Sequence, residues 1–196
     1  MSPLEELLAG HVAHDEKERA DVASMLALAS ALPVPFSREQ WPAHFTGSAV
    51  VVDEAGARVC LLLHAKLNRW LQPGGHADPG DAGSMEKTAL REAVEETGLQ
   101  VVLVSSQPID VDVHVIPARK SEPEHRHLDV RYLVRAVDSS ALKHDPSESH
   151  GAQWLRWDEA LARADEPALR RLLEKARRLA ALREGEDADS PARPRG

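Results

Sequence analysis

The 196-residue sequence predicts an α/β fold, because strand-like and helix-like patterns alternate along it. Two runs of small, apolar and β-branched residues, 46–52 and 58–64, are typical of buried strands. The segment 91–99 places acidic and apolar residues on opposite arcs of a helix, and Gly98 provides a helix stop signal. A final amphipathic helix is indicated by apolar residues at helical spacing: Leu169, Leu172, Leu173, Ala176 and Leu179.

The composition excludes several classes of protein. A hydrophobic content of 42% is enough for a core, and a net charge of -8 argues against a general nucleic-acid-binding surface. The apolar run 22–34 follows a stretch of mixed charge and is too short to span a bilayer, so we expect a cytoplasmic protein without a membrane segment. The single cysteine, Cys60, lies in an apolar run, which predicts a buried thiol and excludes a sulfur-based metal site.

Two helices are predicted ahead of the first strand, at 3–12 and 15–31. The Asp15 carboxylate can cap the second helix by accepting from free backbone N–H groups, and Pro33 ends that helix. These helices form an N-terminal extension, 1–44. The sequence supports two interpretations of it: an addition packed on the following domain, or a dimerisation arm.

The next elements are a hairpin and a glycine-containing loop. A turn at 53–56 joins the two buried strands. A loop over 66–70 then leads to Pro73, Gly74 and Gly75, where proline fixes φ and the glycines let the backbone approach a phosphate or a metal.

More strands are predicted after the acidic helix, at 101–104, 109–116, 128–137 and 152–156. A short helix starts at Trp157 and precedes the final helix. Residues 184–196 are charged, proline-bearing and poor in apolar residues, which predicts disorder. The chain is therefore expected to divide into the extension 1–44, a main domain 45–182 and a tail 183–196.

The acidic segment is the candidate site. Glu92, Glu95 and Glu96 fall on one arc of the predicted helix, where like charges are costly unless a cation lies between them. Hard carboxylate oxygens of this kind suit magnesium or manganese. Arg91 is four residues before Glu95 and can pair with it, which would hold one carboxylate in place.

This pattern resembles the box of the Nudix hydrolase family, in which a glycine and a glutamate precede Arg-Glu-apolar-x-Glu-Glu-x-Gly-apolar. Residues 91–99 match that second half at every position. In the first half, Gly75 is followed after five residues by Asp81 rather than by a glutamate, and nine residues instead of seven separate Asp81 from Arg91. We interpret this as a loop enlarged by two residues, with Asp81 in the place of the glutamate. The resemblance extends over about 45–159.

The resemblance implies an α/β/α sandwich with a mixed sheet and hydrolysis of a nucleoside diphosphate linked to another group, or of a related small molecule. It implies Mg²⁺, or alternatively Mn²⁺, bound by the Glu92, Glu95 and Glu96 carboxylates and by the Gly75 carbonyl. The base that activates water is either Glu96 or Glu148, which precedes the last strand. Two alternatives are an inactive nucleotide-binding or regulatory module and, disfavoured by the buried Cys60, a prenyl diphosphate isomerase.

Several other residues are candidates for substrate contact. His125 and His127 alternate on one face of a strand, and with Asp129 they form a set that suits a transition metal or a phosphate, or that is structural. The remaining candidates are His76 after the glycines, two arginines for phosphate and one tryptophan for base stacking: Arg126, Arg131 and Trp70. The sequence does not predict which diphosphate is the substrate, and a homodimer is compatible with it.

Overall fold

The structure is a computed structural model that describes residues 1–119 and 122–188. These ranges contain five α-helices: α1 (Pro3–Ala9), α2 (Glu16–Ala31), α3 (Met85–Thr97), α4 (Trp157–Arg163) and α5 (Pro167–Ala188). They also contain eight strands: β1 (Ala43–Val52), β2 (Arg58–His64), β3 (Trp70–Leu71), β4 (Gly74–His76), β5 (Val101–Leu103), β6 (Asp110–Ile116), β7 (His125–Ala136) and β8 (Ser149–Arg156). The predicted α/β class is confirmed.

All these strands form one mixed sheet around β1. This strand is parallel to β7 and antiparallel to β2 and β4. The sheet continues from β7 to β5 and β6, and from β2 to β3 and β8. In the register of β1 with β7, His44 lies opposite His127, and in the register of β1 with β4, Thr46 lies opposite His76.

Side chains of β1 alternate between two apolar cores. Ala49 and Val51 belong to the core shared with α1, α2 and α3, whereas Val50 and Val52 belong to the core shared with α4 and α5. Burying a valine side chain stabilises a fold by roughly 1.5–3 kcal/mol, so a register slip of one residue would be strongly unfavourable. Helices cover both sides of the sheet, which confirms the expected sandwich.

The N-terminal helices pack on the main domain. Asp15 caps α2 as predicted, and its carboxylate accepts from the Glu18 N–H at 2.7 Å. Leu8 and Met25 are fully buried in the core that also contains side chains of α3. Of the two interpretations that the sequence supports, the structure favours the packed addition.

A buried charge cluster fastens α2 to the sheet and to α5. The Glu18 carboxylate is fully buried, lies 2.7 Å from His11 Nε2 and accepts from Lys175 Nζ at 2.5 Å. It also accepts from the Val111 N–H of β6 at 3.3 Å. Lys175 lies 3.2 Å from Asp110 as well, so each buried acid of this cluster has a cationic partner.

The prediction that Arg131 contacts a phosphate is contradicted. Its guanidinium donates to Asp129 at 2.7 Å and to both Asp110 and Asp112 at 3.2 Å, and the residue is only 5% exposed. Burial opposes its charge, but the three carboxylates raise the pKa of Arg131 above its usual range. The side chain therefore serves to hold the sheet together.

Some element bounds differ from the predictions. The predicted loop that leads to Gly75 contains the short strand β3 and the start of β4. Strand β7 begins at His125, three residues before the predicted start at 128. Helix α5 extends to Ala188 and includes the first residues of the predicted disordered tail, while 189–196 lie outside the described residues.

Glu18→Gln should lower the free energy of unfolding by about 3 kcal/mol, because removing one partner of a buried ion pair leaves the other charge uncompensated. Urea denaturation at pH 7 measures this. Glu16→Gln, at an exposed position of the same helix, should change it by less than about 0.5 kcal/mol. Equal unfolding free energies for the parent and Glu18→Gln would contradict the role given to this cluster.

The difference in the free energy of unfolding between the parent and Glu18→Gln should depend on pH. Burial opposes ionisation of Glu18, but His11, Lys175 and the His14 N–H hold the pKa of its carboxyl well below its ordinary 4.5. A carboxyl with a lowered pKa stabilises the fold fully above its unfolded-state value and loses that contribution as the pH falls. The difference between parent and variant should therefore be constant near neutrality and shrink below about pH 4.5.

Candidate active site

Helix α3 has defined ends. Ser84 caps its start, with Oγ accepting from the Lys87 N–H at 3.3 Å. Gly98 ends it in the left-handed conformation, with φ of 66°. Because L side chains rarely adopt that conformation, glycine suits the stop.

The helix lies directly on β1 because a glycine faces it. A Cβ at Gly47 would lie 2.6 Å from the Met85 carbonyl oxygen, so a larger residue would push α3 away. Ala89 and Ala93 are fully buried at this contact. Val94, which the helical wheel places with the apolar residues, is instead 43% exposed.

Arg91 links the acidic groups at the start of the site. Its Nη1 donates to Glu92 and to Glu95 at 2.9 Å each, which confirms the predicted pair with Glu95. Its Nη2 donates to Asp81 at 3.0 Å and to the His76 carbonyl at 2.7 Å. The guanidinium therefore fixes α3 and the loop after β4 relative to each other.

Asp81 holds this arginine in position. The residue is 4% exposed, and its carboxylate accepts from Thr88 Oγ1 and from the Asp78 N–H at 2.9 Å each. Burial raises its pKa, but Arg91 and these hydrogen bonds lower it to a value below the usual range. The shorter acid in the enlarged loop thus acts through Arg91.

Glu92 lies against the backbone of β4. A Cβ at Gly75 would lie 2.6 Å from Glu92 Oε1, so the absence of a side chain there makes room for this carboxylate. The Glu92 side chain is 14% exposed. Burial raises its pKa, while Arg91 lowers it and Glu95 raises it, and the result is above the usual value.

Glu96 is the most perturbed carboxyl of the site. Burial, followed by the nearby charge of Glu92, raises its pKa to about 8, although the Gly74 N–H lowers it by hydrogen bonding. Glu148 and Asp145 add further negative charge and raise it more. Glu96 therefore lies among carboxylates that disfavour its ionised form.

The loop that carries Glu148 is attached to the end of α3. The Lys143 N–H donates to the Thr97 carbonyl at 2.8 Å, and the Asp145 N–H donates to the Glu96 carbonyl at 3.3 Å. The Glu148 carbonyl in turn accepts from the Ala65 N–H at 2.9 Å. These bonds keep the exposed Glu148 in the neighbourhood of Glu96.

This arrangement fits a divalent cation. Glu92 and Glu96 place hard carboxylate oxygens next to Gly74 and Gly75, and the charges around Glu96 are negative. Glu95 is placed differently from its two neighbours, because its side chain is 54% exposed and paired with Arg91. Of the three carboxylates predicted to bind the metal, Glu92 and Glu96 are therefore half-buried, whereas Glu95 lies at the exposed rim of the site.

The predicted contact between Trp70 and a ligand at this site is contradicted. The ring packs against the core under α4 and α5, on the opposite side of the sheet from α3. The Arg163 guanidinium lies 4.6 Å from its ring centroid and provides its cation–π partner.

The three histidines that the sequence suggests for substrate contact, His76, His125 and His127, lie together on the face of the sheet opposite α3. His76 and His127 approach to 3.3 Å between their Nε2 atoms, and His125 lies beside His127 with 5.2 Å between ring centroids. Asp129 does not join them, since it bonds to Arg131 and to Ser48. Arg126 is half-buried, and its role in substrate binding stays a prediction.

His44 also belongs to this group and is not among the residues predicted from the sequence. Its ring lies 4.9 Å from that of His127 and 5.1 Å from that of His76. The signal was alternation with Thr46 and Ser48, which places all three on one face of β1. Only the pairing of β1 with β4 and β7 shows that the histidines are neighbours.

A family model described as NUDIX domain matches residues 43–176. A Bacillus subtilis (strain 168) protein named "Putative 8-oxo-dGTP diphosphatase" is 28% identical over 109 residues, which cover 56% of this chain. The match spans 64% of the length of that relative.

Solved structures show the same fold. A NUDIX-family hydrolase from Clostridium perfringens is 24% identical, with a TM-score of 0.54, over 71% of this chain and 97% of that one. An Ap4A hydrolase of C. elegans is 20% identical, with a TM-score of 0.52, over 72% and 98% of the two chains. A MutT NUDIX hydrolase from Burkholderia pseudomallei is 21% identical, with a TM-score of 0.51, over 68% and 97%.

Within the described residues, none of the helices has the length and apolar character needed to cross a membrane.

In the metal-free protein, Glu96 should titrate with a pKa of about 8, which ¹³C NMR of its side-chain carboxyl would measure. Glu148→Gln should lower that pKa, because a nearby negative charge is removed, and so should added Mg²⁺, because a cation favours the ionised form. Glu6→Gln, at an exposed position of α1, is the matched control and should leave it unchanged. A pKa near the ordinary 4.5 would show that the site is not as buried as described.

Proposed function

This chain belongs to the NUDIX domain family, and we propose that it is a metal-dependent hydrolase that cleaves a diphosphate linkage in a nucleotide-like small molecule. The observation that carries the proposal is the pair of half-buried carboxylates, Glu92 and Glu96, held against the glycine backbone of β4. Carboxylates placed so closely are costly alone and become favourable when a cation binds them.

The residues proposed to hold Mg²⁺, or alternatively Mn²⁺, are Glu92, Glu96 and the Gly75 carbonyl, with Glu95 at the rim. When bound, such an ion neutralises diphosphate oxygens and lowers the pKa of water. Arg91 orients Glu92 through its bond of 2.9 Å and is itself fixed by Asp81. A change in that support would shift Glu92 relative to the substrate.

We assign the proton transfer to Glu148. Glu148 is exposed, so its side chain can meet a water that approaches the substrate, whereas Glu96 is half-buried and hydrogen-bonded to the Gly74 N–H. A general base must reach the proton that it takes, either directly or through one water. Glu148 therefore receives the proton, and Glu96 stays with the cation.

The substrate class is proposed from the relatives. One sequence relative is named as acting on 8-oxo-dGTP and one structural neighbour as acting on Ap4A, so a nucleotide with a phosphoric anhydride is the proposed substrate. The inactive binding module loses its main support, because Asp81 still anchors Arg91 despite the changed loop. The cytoplasmic location and a homodimer stay predictions from the sequence.

A substrate panel tests the activity. The protein is incubated with Mg²⁺ and with 8-oxo-dGTP, dGTP, Ap4A or ADP-ribose, and both products are identified by mass spectrometry. Glu92→Gln and Glu96→Gln should each reduce turnover by orders of magnitude, whereas Glu148→Gln should still reduce kcat when Mg²⁺ is saturating. Binding of a nucleotide without any hydrolysis would favour the inactive module.

Gly75→Ala should reduce kcat/KM by about 100-fold, because displacing a group by about 1 Å from the reacting centre can have that effect. The added Cβ meets only the end of the flexible Glu92 side chain, so thermal unfolding should change little. Gly80→Ala, where a Cβ has nothing within 4 Å, is the matched control. Equal kcat/KM for Gly75→Ala and Gly80→Ala would remove Glu92 from the proposed mechanism.

A further inference from the structure

A row of histidines crosses the sheet on the face opposite α3. Its members lie on four neighbouring strands: His76 on β4, His44 on β1, His127 on β7 and His114 on β6. Alternation along β4 shows which face of the sheet they occupy. A Cβ at Gly75 would be directed toward Glu92 of α3, so the side chain of the next residue, His76, lies on the opposite face. The row is therefore separated from the acidic site by the thickness of the sheet.

Three members of the row bring their ring nitrogens together. One nitrogen from each of His44, His76 and His127 lies within 4.8 Å of the other two. His76 Nε2 and His127 Nε2 are 3.3 Å apart. Two nitrogen ligands about 2.05 Å from a tetrahedral zinc ion are separated by about 3.3 Å, so this pair already has the required spacing.

His44 supplies an independent observation. The residue is 1% exposed, and its Nδ1 lies 3.2 Å from the Gln40 carbonyl oxygen. That carbonyl can only accept, so Nδ1 carries the proton and Nε2 has a free lone pair. Nε2 is buried and has no hydrogen-bond partner, which is unfavourable for a polar atom unless a ligand binds it.

We propose that His44, His76 and His127 form a second metal site, which binds a divalent first-row transition-metal ion of the zinc type. Three imidazoles suit such an ion, whereas Mg²⁺ prefers the oxygen ligands of the acidic site. The hydrogen bond from His44 Nδ1 to the Gln40 carbonyl corresponds to the outer support that metal-binding histidines usually have. Three protein ligands leave a fourth position for water.

The surroundings keep these imidazoles neutral, as metal ligands must be. Burial, followed by the neighbouring histidines, lowers the pKa of His127 to about 2, and burial and His44 lower that of His76 to about 4. Burial also lowers the pKa of His44. Burial and the neighbouring imidazoles thus disfavour the protonated forms, which would compete with a metal ion.

Two aromatic neighbours limit the site on one side. His125 stacks on His44 with 5.0 Å between ring centroids, and its Nδ1 donates to the Pro123 carbonyl oxygen, 2.8 Å away. Trp41 lies edge-on to His125 at 4.7 Å. His76 and His127 are half-buried, which leaves the approach from their side open to an ion.

Equilibrium dialysis and Co²⁺ absorption test the proposal. The full chain, without a polyhistidine tag, is stripped with a chelator and then titrated with Zn²⁺ or Co²⁺ in excess Mg²⁺, which fills the acidic site. One equivalent of metal should bind, with the visible absorption of four-coordinate Co²⁺ and no thiolate band. Bound Zn²⁺ should also raise the melting temperature, since it binds only the folded state.

Variants locate the binding. His127→Gln and His76→Gln should each weaken Zn²⁺ binding by more than about 100-fold, because the loss of outer partners alone weakens metal sites 10- to 100-fold. These two residues are half-buried, and circular dichroism confirms that the variants fold. His14→Gln, at an exposed histidine of another region, is the matched control and should bind normally. Glu96→Gln should also keep the Zn²⁺ site.

Two results would overturn the proposal. One is a parent protein that takes up no Zn²⁺ in the presence of Mg²⁺, which would make the histidines a packing cluster only. The other is unchanged Zn²⁺ affinity in both His127→Gln and His76→Gln, which would place the ion elsewhere. Neither result bears on the hydrolase proposal, because the acidic site lies on the other face of the sheet.

Discussion

The close contact between α3 and the central strands is the constraint on which the site depends. At Gly47 a Cβ would lie 2.6 Å from the Met85 carbonyl, and at Gly75 it would lie 2.6 Å from Glu92 Oε1. Without Gly47 the helix would have to move outward, and without Gly75 the Glu92 carboxylate would leave the backbone of β4. A small-residue contact thus determines where the charged groups stand, because packed interiors tolerate little extra volume.

That contact also explains why the carboxylates are poised for a cation. The pKa of an acid on an exposed helix face changes little, because the carboxylate is solvated. Glu96 instead extends from α3 to the Gly74 backbone, and its partial burial there raises its pKa to about 8. Arg91 compensates the exposed Glu95, the buried Asp81 and one oxygen of Glu92. The negative charge left over lies at the inner end of the site, where a divalent ion would offset it.

Local signals allowed the main features of α3 to be predicted, and long-range pairing explains what was missed. The Arg91 to Glu95 pair spans about one helical turn and Gly98 directly follows the helix, so local patterns indicate both. Arg131 was misassigned because its partners include Asp110, on a strand whose register the sequence does not show. His44 was missed for the same reason, since its neighbours His76 and His127 come from strands that only the fold brings together.

The face of the sheet opposite α3 changes character along its strands, and this change separates the proposed functions. On β7 the side chains of this face run from imidazole at His127, through the ion pair of Asp129 with Arg131, to the apolar Leu133. Helix α5 covers the apolar part, and its Arg171 and Lys175 cover the ionic part. Ionic groups require partners when they are buried, so the charged band fixes α5 and α2 at that point. The histidines lie beyond this band, where no basic residue of α5 is needed to neutralise the side chains. The free lone pair on His44 Nε2 can therefore bind a metal ion. The carboxylates of the acidic site lie on the other face of the sheet and do not compete with His44 for that ion.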